Sequence, residues 1–147
     1  MPGLTPGAVV EEDGRVIVTA LAEHLNAGIA SVYFDQSPDG LNAPPVVTLG
    51  YAGQIVVDLT FYNAFLDEEG TVSLEALLSV GEGQIVVEEK PDTRRAEGAL
   101  VADRDVRAAL GLVQAGLNLA VSDLAELQPD TFHVDSVYVR PDYLEAT

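Results

Sequence analysis

The chain has no cysteine, no tryptophan, one methionine and one lysine among its 147 residues. Without cysteine there are no disulfides, thiol nucleophiles or thiolate metal sites, and the redox compartment stays undetermined. Only two histidines are present, His24 and His133, so the usual residue for acid–base work and metal ligation is scarce. No apolar run is long enough to cross a bilayer: the longest, Ala108–Val121, is too short and carries Gln114 and Asn118. The opening "MPGLTPGAVVEEDG" lacks a basic n-region, so no leader peptide is expected and the working assumption is a soluble protein. Basic charge is scarce as well. Seven bases face 24 acids, a formal net charge of −17.

That charge excludes one large class of partner. Nucleic-acid binding requires Lys and Arg to displace counterions condensed on phosphates, so direct DNA or RNA binding is not expected, and neither is membrane binding. Acid-rich, lysine-poor composition resembles that of proteins from salt-loving archaea and their viruses; an acidic protein from a GC-rich genome is the alternative. Hydrophobic residues make up 48% of the chain, too many for an acidic disordered tail. The length fits a single domain over residues 1–147, with 1–13 as an N-terminal arm and 90–103 as an exposed loop.

The pentapeptide GQIVV occurs at Gly53–Val57 and again at Gly83–Val87, each followed by an acid. Identity ends there, since the next residues pair Leu59 with Glu89 and Phe61 with Pro91. The two copies read as one local demand met twice: a glycine turn, then a β-branched strand burying Ile55 and Ile85. Around them, "PVVTLGY", "QIVVDLTFYNAF", "TVSLEALLS" and "QIVVEE" alternate with period two and are separated by "AG", "DEEG" and "GEG". This predicts an antiparallel meander of four strands. Thr71–Val80 is rich in helix formers and could instead form a short helix. "GRVIVTALAEHLN" predicts an N-terminal helix over about Gly14–Asn26, capped by Asp13 and stopped by "NAG", and "ASVYFD" predicts a strand. A longer C-terminal helix is expected from Asp103 or Asp105 to before Pro129, with Val106, Leu110, Val113, Leu117, Val121 and Leu124 on one face. Ala108, Gly111, Ala115 and Ser122 form a small-residue stripe there for close backbone approach. The segment "TFHVDSVYVRPDY" predicts a last strand with a bulge near Asp135–Ser136. The fold class is therefore α+β: a meander of four to six strands packed with two helices.

Chemistry-bearing patterns are sparse. Asp35, Ser37, Asp39 and Gly40 open like a calcium loop, but position twelve is Val46 instead of a bidentate Glu; an exposed turn is the simpler reading. The acid pairs Glu11–Glu12, Asp67–Glu69 and Glu88–Glu89 fall at turns and strand ends, where solvated charge is expected rather than paired catalysis. His133 and Asp135 share a strand parity, yet Ser136 would face the other way, against a local triad. No catalytic residue, cofactor site or metal site is assigned. Arg94 and Arg95, the one basic cluster, read as half of a salt bridge to a neighbouring subunit. With Gly111 and Ala115 they are the interface candidates.

The run "VTALAEHLNAGIASVYFDQSPDGLNAPPVVTLG", Val18–Gly50, resembles the opening of the tail terminator and tail completion proteins found at the neck of tailed bacterial and archaeal viruses. There a helix leads into a strand, an acid-containing turn, and a second strand of the "PPVVTLG" kind. The resemblance implies a non-enzymatic virion protein with no cofactor. It would assemble as a homo-oligomeric ring, expected to be a hexamer, with other neck or tail proteins as partners, after synthesis in the host cytoplasm. The family places a helix soon after the third strand, whereas the main helix here begins only near Asp103. A tail tube, head–tail adaptor or capsid decoration subunit therefore stays open, as does a small acidic ion- or ligand-binding module.

Self-repulsion at −17 sets a first expectation. Raising KCl from roughly 0.05 M to roughly 1 M, where the Debye length shrinks to about 3 Å, should raise the thermal unfolding midpoint. A midpoint that falls with salt in calorimetry would contradict it.

Overall fold

The computed structural model describes residues 7–10, 16–36, 41, 43–49, 54–63, 67–98, 101–125, 134, 136–139 and 144–146. The expected meander is there. Strands β3 (Val46–Leu49), β4 (Gln54–Asn63), β5 (Glu68–Gly81) and β6 (Gln84–Glu89) follow β1 (Gly7–Val10) and β2 (Val16–Ala20) in the chain. They lie side by side in sequence order, each antiparallel to the next. Thr71–Val80 is strand throughout, with Val72, Leu74 and Ala76 buried in alternation; packing on one face outweighs the helix propensity of "SLEALL". Both GQIVV copies bury the predicted isoleucines, Ile55 and Ile85, and Val57 and Val87 join them in the core. A fifth strand, β7 (Arg95–Gly98), lies within the segment read as a loop and pairs with β5 beside β6.

A second sheet, unforeseen as such, has the order β1-β2-β9-β8, with β8 at Val137–Val139 and β9 at Leu144–Ala146. Of residues 1–13, read as an arm, Gly7–Val10 pair antiparallel with β2. The bulge expected near Asp135–Ser136 falls on a stretch where Asp135 lies outside the described residues, as do Asp13 and Pro129.

The N-terminal helix requires correction. Val16–Ala20 is a strand, and helix α1 spans Ala22–Gln36, so it covers "ASVYFD" and passes straight through "NAG". Four β-branched residues in a row, Val16 to Thr19, favour extended backbone, and Val18 and Ala20 alternate into the core. The Leu21 carbonyl accepts from the His24 and Leu25 amides and starts the helix. Within it Leu25, Gly28 and Ile29 are buried, and Val32 and Tyr33 pack against the core one turn further on. Gly28 is therefore a contact residue and not a stop.

Helix α2 spans Asp103–Ala125, about 35 Å long. Its predicted face is correct: Val106, Leu110, Val113, Leu117 and Val121 are buried. The small-residue stripe is displaced. Close approach to α1 is made by Gly116 and Ala120, while Ala108, Gly111 and Ala115 are exposed and buried Ser122 donates to the Leu119 carbonyl at 2.9 Å. A Cβ added at Gly28 would collide with the Gly116 carbonyl oxygen, and one at Gly116 would lie 2.5 Å from the Ile29 Cα and 2.7 Å from its nitrogen. The crossing is backbone against backbone.

From this crossing the helices reach both outer strands of the meander. On α1, Asn26 Nδ2 donates to the Val47 carbonyl at 3.1 Å, and the Val47 amide donates to Asn26 Oδ1 at 2.8 Å. On α2, the Ile85 amide donates to Asn118 Oδ1 at 2.9 Å, and Asn118 Nδ2 donates to the Ile85 carbonyl at 3.0 Å. The Val87 amide donates to Gln114 Oε1 at 3.1 Å. Each asparagine side chain pairs with an edge residue as a neighbouring peptide would, closing edges that otherwise invite foreign strands.

Gly116→Ala should destabilise the protein by about 1–3 kcal/mol through overpacking. Gly111→Ala, whose new methyl meets nothing within 4 Å, should stabilise it by up to about 1 kcal/mol through helix propensity. Urea titration of the two variants checks the contrast; equal effects would refute this account of the crossing.

Candidate functional site

The polar groups concentrate where β6 passes into β7. Both strands lie along one edge of β5, β6 against Ala76–Gly81 and β7 against Gly70–Ser73. Between them the chain leaves the ladder at Lys90–Arg94, with Asp92 in the left-handed region at φ 64°. The gap at Glu75 is filled from two sides. The Lys90 amide donates to the Glu75 carbonyl at 2.8 Å, and the Glu75 amide donates to Thr93 Oγ1 at 3.0 Å. Thr93 Oγ1 in turn donates to the Lys90 carbonyl at 2.8 Å. A threonine hydroxyl thus replaces a missing peptide in the sheet.

Arg94 ties the turn to its surroundings. Its Nε and Nη2 donate to the two oxygens of Glu89 at 2.8 and 2.6 Å, and Nη1 donates to Asp103 Oδ1 at 2.5 Å, at the start of α2. The forked pair on Glu89 suits a planar guanidinium and not an ammonium, and these bonds hold its pKa above the ordinary arginine value. Arg94, expected to reach a neighbouring subunit, is spent inside the chain. Arg95, one residue on, is exposed and has no ion-pair partner among the described residues. The pair therefore divides into one anchor and one available cation. A cleft of about 470 Å³ lies beside them, lined by Val56, Ser73, Glu75, Thr93, Arg94 and Arg95.

Gly111 and Ala115 line a second depression of about 360 Å³ on the far side of α2, together with Val32, Gln114 and Leu119. It is lined by small and apolar residues and by three amide side chains, of which Gln114 and Asn118 are already committed to β6 and Gln84 is not. Among the described residues the first cleft brings together Glu75, Asp92, Arg94 and Arg95, and the second holds no charged side chain.

The remaining sequence candidates are not brought together. Asp35 is exposed at the last turn of α1, a helix where a strand was expected, and Ser37, Asp39 and Gly40 lie outside the described residues. Val46, at the twelfth loop position, is in β3 and half exposed. His133 and Asp135 lie outside the described residues, and Ser136 is half-buried. Glu88 is exposed and Glu89 is held by Arg94. Among the described residues no three His, Asp or Glu side chains are grouped to hold a metal ion, and no helix is long and apolar enough to cross a membrane. Asp67 accepts from the Tyr62 hydroxyl, which keeps the phenol proton above its ordinary pKa of 10.0; this contact is complete below that value and is lost as pH rises through the higher one.

Sequence reasoning missed Thr93, Asn26, Asn118 and Gln114, all of which act on backbone groups distant in sequence. The one available signal was Gln114 and Asn118, spaced i and i+4 within an otherwise apolar run. Compared with known protein families, curated proteins and solved structures, the chain matches none.

The two arginines should separate in measurement. Arg94→Gln loses the forked contact and should destabilise by about 1–3 kcal/mol, whereas Arg95→Gln should stay within about 0.5 kcal/mol. Denaturant melts of both variants decide it; equal losses would contradict the assignment.

Proposed function

We propose that the protein is a non-enzymatic structural subunit of a tailed-virus particle, a neck or tail component that closes into a ring with copies of itself. The observation that carries this reading is apolar side chains left exposed on the outer face of the five-stranded sheet. The helices cover the inner face of the five-stranded sheet, and on their solvent side Phe34 is 70% exposed. The outer sheet face carries Val46, Tyr62 and Leu77 at 49%, 43% and 39% exposure, with Val56 and Val86 half-buried beside them. Apolar side chains gathered on an outer face favour a protein partner over water. When such a face meets a different surface of the next copy, the contact is head to tail, and contacts of that kind generate rings when the rotation closes.

The composition agrees with that role. A −17 subunit would line a ring with negative potential, through which DNA passes without adhering. The likeness of Val18–Gly50 to tail terminator proteins points the same way through its "PPVVTLG" segment, while the strand that likeness calls for at "ASVYFD" is part of α1 here. The partners would be copies of this chain and other neck or tail proteins, and the site of action the virion.

Native mass spectrometry and negative-stain imaging in high salt test the reading. The expected result is one closed oligomer of ring stoichiometry, a hexamer by the resemblance. A chain that remains strictly monomeric at high concentration and high salt would refute it.

A further inference from the structure

The outer face of the five-stranded sheet is patterned along its diagonals. Residues opposite one another in an antiparallel ladder share a face. Three such pairs join an apolar side chain to an acid: Val46 to Asp58, Val56 to Glu75 and Leu77 to Glu88. From Val46 to Val56, Val56 to Leu77 and Leu77 to Val86, each step crosses one strand and shifts two residues in the same direction. The four form one oblique apolar line with the three acids along a single flank. At 7–8 Å per diagonal step the line is roughly 23 Å long. Val46 and Leu77 are exposed on it, and Val56 and Val86 are half-buried. Asp58 and Glu88 are exposed with no ion-pair partner among the described residues, and Glu75 has a loose contact to Lys90 at 3.8 Å. This flank calls for cations in whatever covers the line.

The chain itself has few to offer. Lys90 and Arg94 are ion-paired internally, Arg95 stands on the sheet face opposite Ser73, and Arg15 and Arg140 lie outside the described residues. Arg104 and Arg107 remain, both on α2, both exposed and neither ion-paired among the described residues. By helix periodicity Arg104, Arg107, Ala108, Gly111 and Ala115 share an arc of about 100°. All five are exposed, and the acids of α2, Asp103, Asp105 and Asp123, fall outside that arc. It runs into the uncharged depression beside Gly111, Ala115 and Leu119. From Arg104 to Leu119 the helix rises about 22 Å, the length of the apolar line. We infer that the outer sheet face of one copy is covered by this face of α2 from the next, with the arginines toward Asp58, Glu75 and Glu88 and the depression over the apolar line. The two surfaces are unlike, so the contact is head to tail. The inference rests on the self-association proposed above and names the surfaces that meet.

Sedimentation velocity of the full chain across concentration tests it with Leu77→Glu on the sheet face and Ala115→Glu on α2. Each variant alone should weaken self-association about tenfold or more. Their equimolar mixture should recover a heterodimer of wild-type affinity, because one variant keeps an intact α2 face and the other an intact sheet face. Circular dichroism verifies both folds. Glu88→Arg and Arg107→Glu repeat the comparison at two exposed charges, so the matter is decided even if one of the first pair misfolds. Variants that assemble as wild type does, or mixtures that recover nothing, overturn this pairing of surfaces while self-association stands. A monomeric wild type overturns both.

Discussion

The fold turns on one close contact: the backbones of α1 and α2 meet at Gly28 and Gly116 with no room for a side chain between them. Two helices that cross this closely can lie over one face of a narrow sheet and still reach its two outer strands. The crossing places Asn26 beside β3 and Asn118 beside β6, so both edges are closed by carboxamides with the same two-point geometry. A side-chain amide has the donor and acceptor of a peptide unit, and an unpaired edge amide shielded from water would cost about 1–3 kcal/mol. The apolar core of Leu25, Ile29, Ile55, Leu74, Ile85 and Leu117 fills the space enclosed.

With those edges closed, the exposed part of the structure acquires a direction. Helix amides guard β3 and β6, while β7 has β5 as its only strand partner among the described residues. The same segment shows how one basic dipeptide is divided. Arg94 gives the turn its shape through Glu89 and Asp103, and Arg95 remains available to a partner.

How much of this was legible in the sequence follows from the range of the forces involved. The meander was legible because alternation is local: a strand with one buried face must place Ile55 and Val57, or Ile85 and Val87, on the same side. The repeated GQIVV marked fold and not duplication, since its first copy lies between two strands and its second at an edge finished by Asn118. The α2 face was legible for the same reason. The start of α1 was not, because Val16–Thr19 satisfies both periods over so short a span and because "NAG" resembles a stop when its glycine in fact serves the crossing. The second sheet depends on β9 meeting β2, a pairing across almost the whole chain that no local pattern encodes. At the candidate surface, Arg94 and Arg95 stood out by charge alone, but their separate uses depend on Glu89, Asp103 and Ser73 arriving from other elements. Thr93 and the amide clamps carried no charge or motif to mark them.

Residue-resolved amide hydrogen exchange followed by NMR tests this division of edges most directly. The account predicts slow exchange at Val47, Ile85 and Val87 at every concentration. It predicts fast exchange at Ala96, whose amide points away from β5 and has no partner among the described residues. Rapid exchange at Ile85 and Val87, or protection at Ala96 equal to theirs, would contradict it.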